Sequence, residues 1–148
     1  REKDVPIFLK VAPDLEDGEV VAICEVVKAS GLQGIIIGNT TLSRPESLRS
    51  PLKAEAGGLS GAPLSALSTR MVRAFRQAAG PSLAIIGCGG IGSGGEAYAK
   101  IRAGAGAVQL YSALVFEGPG LVQSIKRDLS ARLKADGFAS VAEAVGTG

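Results

Sequence analysis

Four short apolar runs recur along the chain, each followed by a stretch with helical periodicity. They are Val5-Pro6-Ile7-Phe8-Leu9-Lys10-Val11, Gly34-Ile35-Ile36-Ile37-Gly38, Leu83-Ala84-Ile85-Ile86-Gly87 and Ala107-Val108-Gln109-Leu110-Tyr111. Runs that stay apolar without alternating read as strands buried on both faces. A helix between two such strands returns the chain to the starting edge, so the strands must lie parallel. The expected fold class is α/β, built from about four βα units.

The intervening stretches fit that reading. Asp14 is placed to cap a helix, with Glu16 and Asp17 in its acidic first turn. Val20, Val21, Ile23, Cys24 and Val27 keep helical spacing to about residue 29, and Gly31 ends the helix. A second helix begins near Pro63 and runs through Leu67, Met71, Val72 and Phe75 to about Ala79, where Gly80-Pro81 stops it. Ser93 and Glu96 have capping-box spacing for a third, from about Gly94 to Ala103, closed by Gly104. Gly118-Pro119 precedes a helix over about 119–136, and a short one follows near 140–145. The connection 39–62 is long and rich in Pro, Ser, Gly and charge, so it is functional or disordered. Its end, Gly57-Gly58-Leu59-Ser60-Gly61, has the glycine density of a close approach to a ligand. No linker divides the chain, so residues 1–148 read as one domain.

Composition removes several kinds of chemistry. The 148 residues contain no His, which excludes a Ser-His-Asp triad or a His-containing zinc site within this chain. Cys24 and Cys88 make neither a disulfide framework nor a metal site, so no metal is expected and a reduced, intracellular setting is the default. A net charge of +2 gives no nucleic-acid footprint. No apolar run reaches the roughly 18 residues of a membrane span. The chain starts at Arg1, shows no signal peptide and enters a strand almost at once, as a piece of a longer protein would.

Gly87-Cys88-Gly89-Gly90-Ile91-Gly92 matches G-x-G-x-x-G, the dinucleotide fingerprint. That reading requires an acid about 20 residues on, at the end of the next strand, and a place on the first strand of its unit. The first acid after the next strand is Glu117, beyond the strand end, and two βα units precede the run. Both requirements fail. In a (β/α)₈ barrel a phosphate site is often built by the loops after strands seven and eight. If the four units are strands five to eight, the glycine run follows strand seven and Tyr111-Ser112 follows strand eight. Backbone N–H groups of Gly90, Ile91 and Gly92 would then meet a phosphate. The simpler alternative is a tight strand-to-helix turn without a ligand.

Four motifs come in order: Leu9-Lys10-Val11-Ala12-Pro13-Asp14-Leu15, Asn39-Thr40-Thr41-Leu42-Ser43-Arg44-Pro45, Gly57-Gly58-Leu59-Ser60-Gly61-Ala62-Pro63-Leu64, and Val108-Gln109-Leu110-Tyr111-Ser112-Ala113-Leu114 through Gly118-Pro119. Together they resemble the C-terminal half of class 2, quinone-dependent dihydroorotate dehydrogenase, from about Val5 to Val145. The resemblance implies half of a TIM (β/α)₈ barrel that binds FMN. It also implies oxidation of dihydroorotate to orotate in pyrimidine biosynthesis, with a membrane quinone as electron acceptor. The whole enzyme would sit peripherally, at the cytoplasmic face of a bacterial membrane or at the mitochondrial inner membrane.

Carried over residue by residue, the resemblance makes Lys10, Gly38, Gly61, Gly90, Tyr111 and Ser112 contacts of the flavin, its ribityl chain or its phosphate. Asn39 and Thr40 match the positions that hold the substrate. Gly38 stands where the family can carry Thr, which leaves only its backbone to serve. Ser112 replaces a frequent Thr and keeps the hydroxyl. The family's catalytic base is a Ser on a loop of the N-terminal half, with no match here. The segments that bind membrane and quinone also belong to the N-terminal region. Two alternatives stay open: a non-catalytic half barrel that binds FMN or phosphate, and a class 1 relative. Cys88 reads as a small residue beside the phosphate turn.

Overall fold

The strands pair side by side in the order in which they occur. The computed structural model describes residues 5–148, so the start at Arg1 lies outside the described residues. β1 (Phe8–Val11), β2 (Gly34–Ile37), β3 (Ala84–Cys88) and β4 (Ala107–Gln109) form one parallel sheet in the order β1-β2-β3-β4. The register aligns Val11 with Ile37, Ile37 with Gly87 and Gly87 with Val108. Between and after them lie α1 (Asp17–Ala29), α2 (Ser65–Ala79), α3 (Gly94–Ala103), α4 (Ser112–Glu117), α5 (Gly120–Ala135) and α6 (Val141–Ala144), with a 3₁₀ turn over Ala62–Leu64 leading into α2. α1 packs on α2, α2 on α3 and α3 on α5, so the helices follow one another as the strands do. Sequential strand order is that of a barrel wall; a doubly wound sheet reverses order at its switch point.

The main core lies between sheet and helices. Val20, Cys24 and Val27 of α1 and Met71, Val72 and Phe75 of α2 close on Ile35, Ile37 and Ile85. Each fully buried aliphatic or aromatic side chain contributes about 1.5–3 kcal/mol. A smaller cluster of Ile101, Leu133 and Ala144 seats α5 and α6 on α3.

Several sequence expectations are corrected. β1 begins at Phe8, not Val5, and both Leu9 and Lys10 are exposed. β1 and β4 are the two outer strands of the described sheet, so both of its edges lack a strand partner among the described residues. Asp14 does not cap α1. Glu16 does, forming a capping box with Glu19. β3 extends to Cys88, and β4 stops at Gln109, which leaves Tyr111 as the residue before α4. α4 itself was not expected: it buries none of its six residues, so its sequence carries no amphipathic period.

The connection after β2 is ordered by two charges. The Arg44 guanidinium donates to the carbonyls of Thr41, Leu42, Ser43, Lys53, Glu55 and Gly57. The Asp14 carboxylate accepts from the Thr41 hydroxyl, from the Leu42 N–H at 3.1 Å and from the Ser43 hydroxyl at 3.1 Å. Partial burial pushes the Asp14 pKa up, but these donors outweigh it and hold the carboxyl below its ordinary value. A short antiparallel bridge between Thr41 and Leu59 closes the base of the loop.

Two predictions follow from this packing. A Cβ on Gly34 would lie 2.5 Å from the Ala84 carbonyl oxygen and on the Phe8 ring, whereas one on Gly18 would meet nothing. Gly34→Ala is expected to destabilise the chain by about 1–3 kcal/mol. Gly18→Ala, inside α1, is expected to stabilise it by about 0.5–1 kcal/mol. Urea unfolding of both variants checks the pair. Asp14→Ala is expected to raise amide exchange at Leu42 and Ser43 by about tenfold, near 1.4 kcal/mol. In the unsubstituted chain this protection is present above the ordinary Asp pKa and lost as pH falls through the lowered folded value. Hydrogen exchange at neutral and acidic pH measures both.

Candidate functional site

Parallel pairing places the C-terminal ends of all four strands along one edge. β1 brings Lys10 there, β2 leads into Gly38-Asn39-Thr40, β3 into the glycine turn, and β4 into Tyr111-Ser112. The long connection returns Gly61 to the same place. Lys10, Gly38, Asn39, Thr40, Gly61, Gly90, Tyr111 and Ser112 all line a single cleft of about 620 Å³. A second groove, between α1 and α2, contains none of them.

The glycine turn forms one wall. Gly90 has φ +66°, and a Cβ there would fall on the backbone of Ser65 at the start of α2. Only glycine can lie this close to that helix. Among the described residues, the N–H groups of Gly90 and Ile91 have no protein acceptor. The Gly92 N–H donates to Glu96 Oε2 at 2.8 Å. Ser93 caps α3 as expected, its Oγ accepting from the Glu96 N–H at 3.2 Å. The Glu96 carboxylate does not complete the expected box, because it turns to Gly92 and to the Ser93 hydroxyl.

The other walls are more varied. Lys10 Nζ lies 3.9 Å from Cys88 Sγ. Asn39 Oδ1 accepts from the Thr40 N–H at 3.0 Å, a local turn that leaves the Asn39 amide group and the Thr40 hydroxyl available. Ser112 Oγ donates to Ser60 Oγ at 3.0 Å, tying the start of α4 to the end of the long connection. Tyr111 is 79% exposed and Phe116 84% exposed, and both line the cleft. The charged side chains of the lining are Lys10, Glu96 and Glu117.

Sequence reasoning missed several contributors. Glu96 was legible only as a capping residue, and Phe116 lies on the unexpected α4. Lys100 gave no signal beyond its helical position. It is fully buried behind the glycine turn, and burial lowers its pKa to about 8, against the opposing pull of Glu96 and Cys88. Among the described residues no group of three or more His, Cys, Asp and Glu could hold a metal ion.

Comparison with known proteins identifies the family. The family model described as dihydroorotate dehydrogenase matches residues 1–133. The chain is 62% identical over 141 residues to the dihydroorotate dehydrogenase (quinone) of Xanthobacter autotrophicus, covering 95% of this chain and 40% of that protein. With the protein of the same name from Rhodospirillum rubrum it shares 57% identity over 141 residues, covering 95% and 38%. A crystal structure of a DHODH from Eimeria tenella in complex with ferulenol superposes with a TM-score of 0.92 at 44% identity, covering 96% of this chain and 38% of that one. The chain thus spans about 40% of the length of the curated relatives it matches. With a family model over most of its residues and a shared sheet, the chain belongs to the dihydroorotate dehydrogenase family.

Proposed function

We propose that this chain provides the FMN phosphate site and part of the substrate site of a quinone-dependent dihydroorotate dehydrogenase. The observation that carries the reading is the convergence of Lys10, Asn39, Thr40, Gly61, Gly90 and Ser112 on one cleft at the C-terminal edge of a sequential parallel sheet. Relatives at 57–62% identity that carry the name dihydroorotate dehydrogenase (quinone) support it.

The residues present fit FMN. Free N–H groups at Gly90 and Ile91 suit a phosphate, which backbone donors bind without a side chain. The paired hydroxyls of Ser60 and Ser112 suit a polyol chain. The half-exposed apolar surface of Leu110 and the exposed face of Tyr111 give the cleft a non-polar side. When bound, FMN supplies a two-electron acceptor for oxidation of the dihydropyrimidine ring.

The chain's own residues then bind and orient. Lys10 brings an ammonium to the cleft lining, where it would stabilise negative charge on a bound flavin as that flavin is reduced. The Asn39 amide and Thr40 hydroxyl match a planar ring bearing carbonyls, N–H groups and a carboxylate. Asp14 and Arg44 fix the segment that follows, which limits how far Asn39 and Thr40 can drift from the cleft. The proton-abstracting group of this reading is a Ser outside the 148 residues. The quinone and the membrane are likewise engaged by segments beyond them. Among the described residues no helix is long and apolar enough to cross a membrane.

Two outcomes test the proposal. FMN fluorescence is expected to be quenched on titration with the chain, and Gly90→Val is expected to weaken binding by about tenfold or more, at least about 1.4 kcal/mol. Quenching that is absent, or indifferent to that substitution, contradicts the reading. The purified 148-residue chain with dihydroorotate, FMN and a soluble quinone is expected to form no measurable orotate, because the Ser that abstracts the proton in this reading lies outside it. Orotate formation above background would refute that assignment of roles.

A further inference from the structure

Lys100 is completely buried, and none of the roles above uses it. Its ammonium has three N–H groups and three acceptors: Ser68 Oγ at 2.6 Å, Thr69 Oγ1 at 2.8 Å and the Ser65 carbonyl at 3.3 Å. None is a carboxylate. The ion pairs among the described residues are Arg102–Asp136 and Arg132–Asp128, both elsewhere. A buried cation without a counter-ion is costly, and its lowered pKa of about 8 reflects that cost.

The placement of this cation gives it a use. Ser68 Oγ accepts from Lys100 and lies 2.9 Å from the Gly89 carbonyl, to which it can donate. Ser65, whose carbonyl also accepts from Lys100, is the residue that a side chain on Gly90 would strike. The Lys100 stem passes 3.1 Å from where a Cβ on Gly87 would stand. The ammonium therefore sits under the glycine turn, one hydroxyl away from it. On the cleft side, the lining holds two carboxylates, Glu96 and Glu117, and one cation, Lys10. Glu96 grips the same turn through Gly92. A phosphate at Gly90 and Ile91 would meet a carboxylate beside it and needs positive potential from behind.

We propose that Lys100 is the positioning residue and counter-charge for a phosphate monoester held at the Gly89–Ile91 turn. Through Ser68 it anchors the Gly89 carbonyl, which keeps the Gly90 and Ile91 N–H groups free for the ligand. Its charge acts through the turn, where low polarisability preserves the attraction. The inference rests on the FMN reading and deepens it. The charged and titratable groups around Lys100 are Glu96 on its own helix and Cys88 at the end of β3; α2 presents Ser65, Ser68 and Thr69, which are neutral.

The test compares FMN with riboflavin, which lacks only the phosphate, in titrations of the 148-residue chain. Lys100→Met is expected to weaken FMN by about tenfold and to leave riboflavin within about twofold. Equal weakening of both ligands, or of neither, overturns the inference, because a merely structural lysine would not distinguish them. A second measurement decides if Lys100→Met fails to fold. In the Cys88→Ala chain, which lacks a group that raises the Lys100 pKa, the FMN preference is expected to fall as pH rises through an interval at or somewhat below about 8. The phosphate, with a second pKa of about 6, stays doubly ionised there. A flat preference across that interval overturns the inference. If the unsubstituted chain does not prefer FMN to riboflavin at all, the phosphate reading fails first and this inference falls with it. A change confined to Lys100→Met leaves that outcome clearly separate.

Discussion

Everything at the cleft depends on the parallel register of four neighbouring strands. Val11, Ile37, Gly87 and Val108 stand in line across the sheet. The residues that follow them therefore emerge along a single edge, although Lys10 and Ser112 are about a hundred positions apart in sequence. A one-residue slip of any strand would turn its core side chains outward, so burial of Ile35, Ile37 and Ile85 fixes the register and with it the site. Core packing and the shape of the cleft are thus parts of one constraint. The helices confirm it by packing in the same order as the strands.

Much of this was legible in the residues because it rests on local periodicity and backbone rules. Apolar runs such as Gly34-Ile35-Ile36-Ile37 announce central strands, and Ser93 announces the start of α3. What was not legible involves partners far apart in the chain. Asp14 looked like a cap because acids favour helix starts, yet its donors come from Thr41, Leu42 and Ser43. Arg44 stands in the sequence only as part of the Asn39–Pro45 motif, and its role exists once the loop folds around it and offers six carbonyls. Lys100 gives no signal beyond its helical position, and only the stacking of α3 on α2 buries it. α4 escaped because a helix that buries nothing leaves no period to detect.

The glycine run shows how a pattern can be real while its usual meaning fails. Its spacing fits a dinucleotide fingerprint, but a sequential sheet has no switch point at which a dinucleotide could lie. The glycines answer a different demand. Gly90 must pass against the backbone of Ser65, and that closeness brings two free N–H groups to the cleft. Glu96 makes the same wall locally acidic, which an anion site would ordinarily avoid. A buried lysine behind the turn removes the contradiction. In the proposed site, the polar backbone of the turn and the buried charge behind it act on one phosphate from the same wall.

The central claim is that a flavin phosphate is held by backbone groups at the strand ends. It is tested most directly by following backbone amide resonances of the ¹⁵N-labelled chain as FMN is added. The account predicts the largest shifts at Gly61, Gly90, Ile91 and Ser112, with the groove between α1 and α2 unchanged. Shifts concentrated in that groove, or none at Gly90 and Ile91 at saturation, would contradict it.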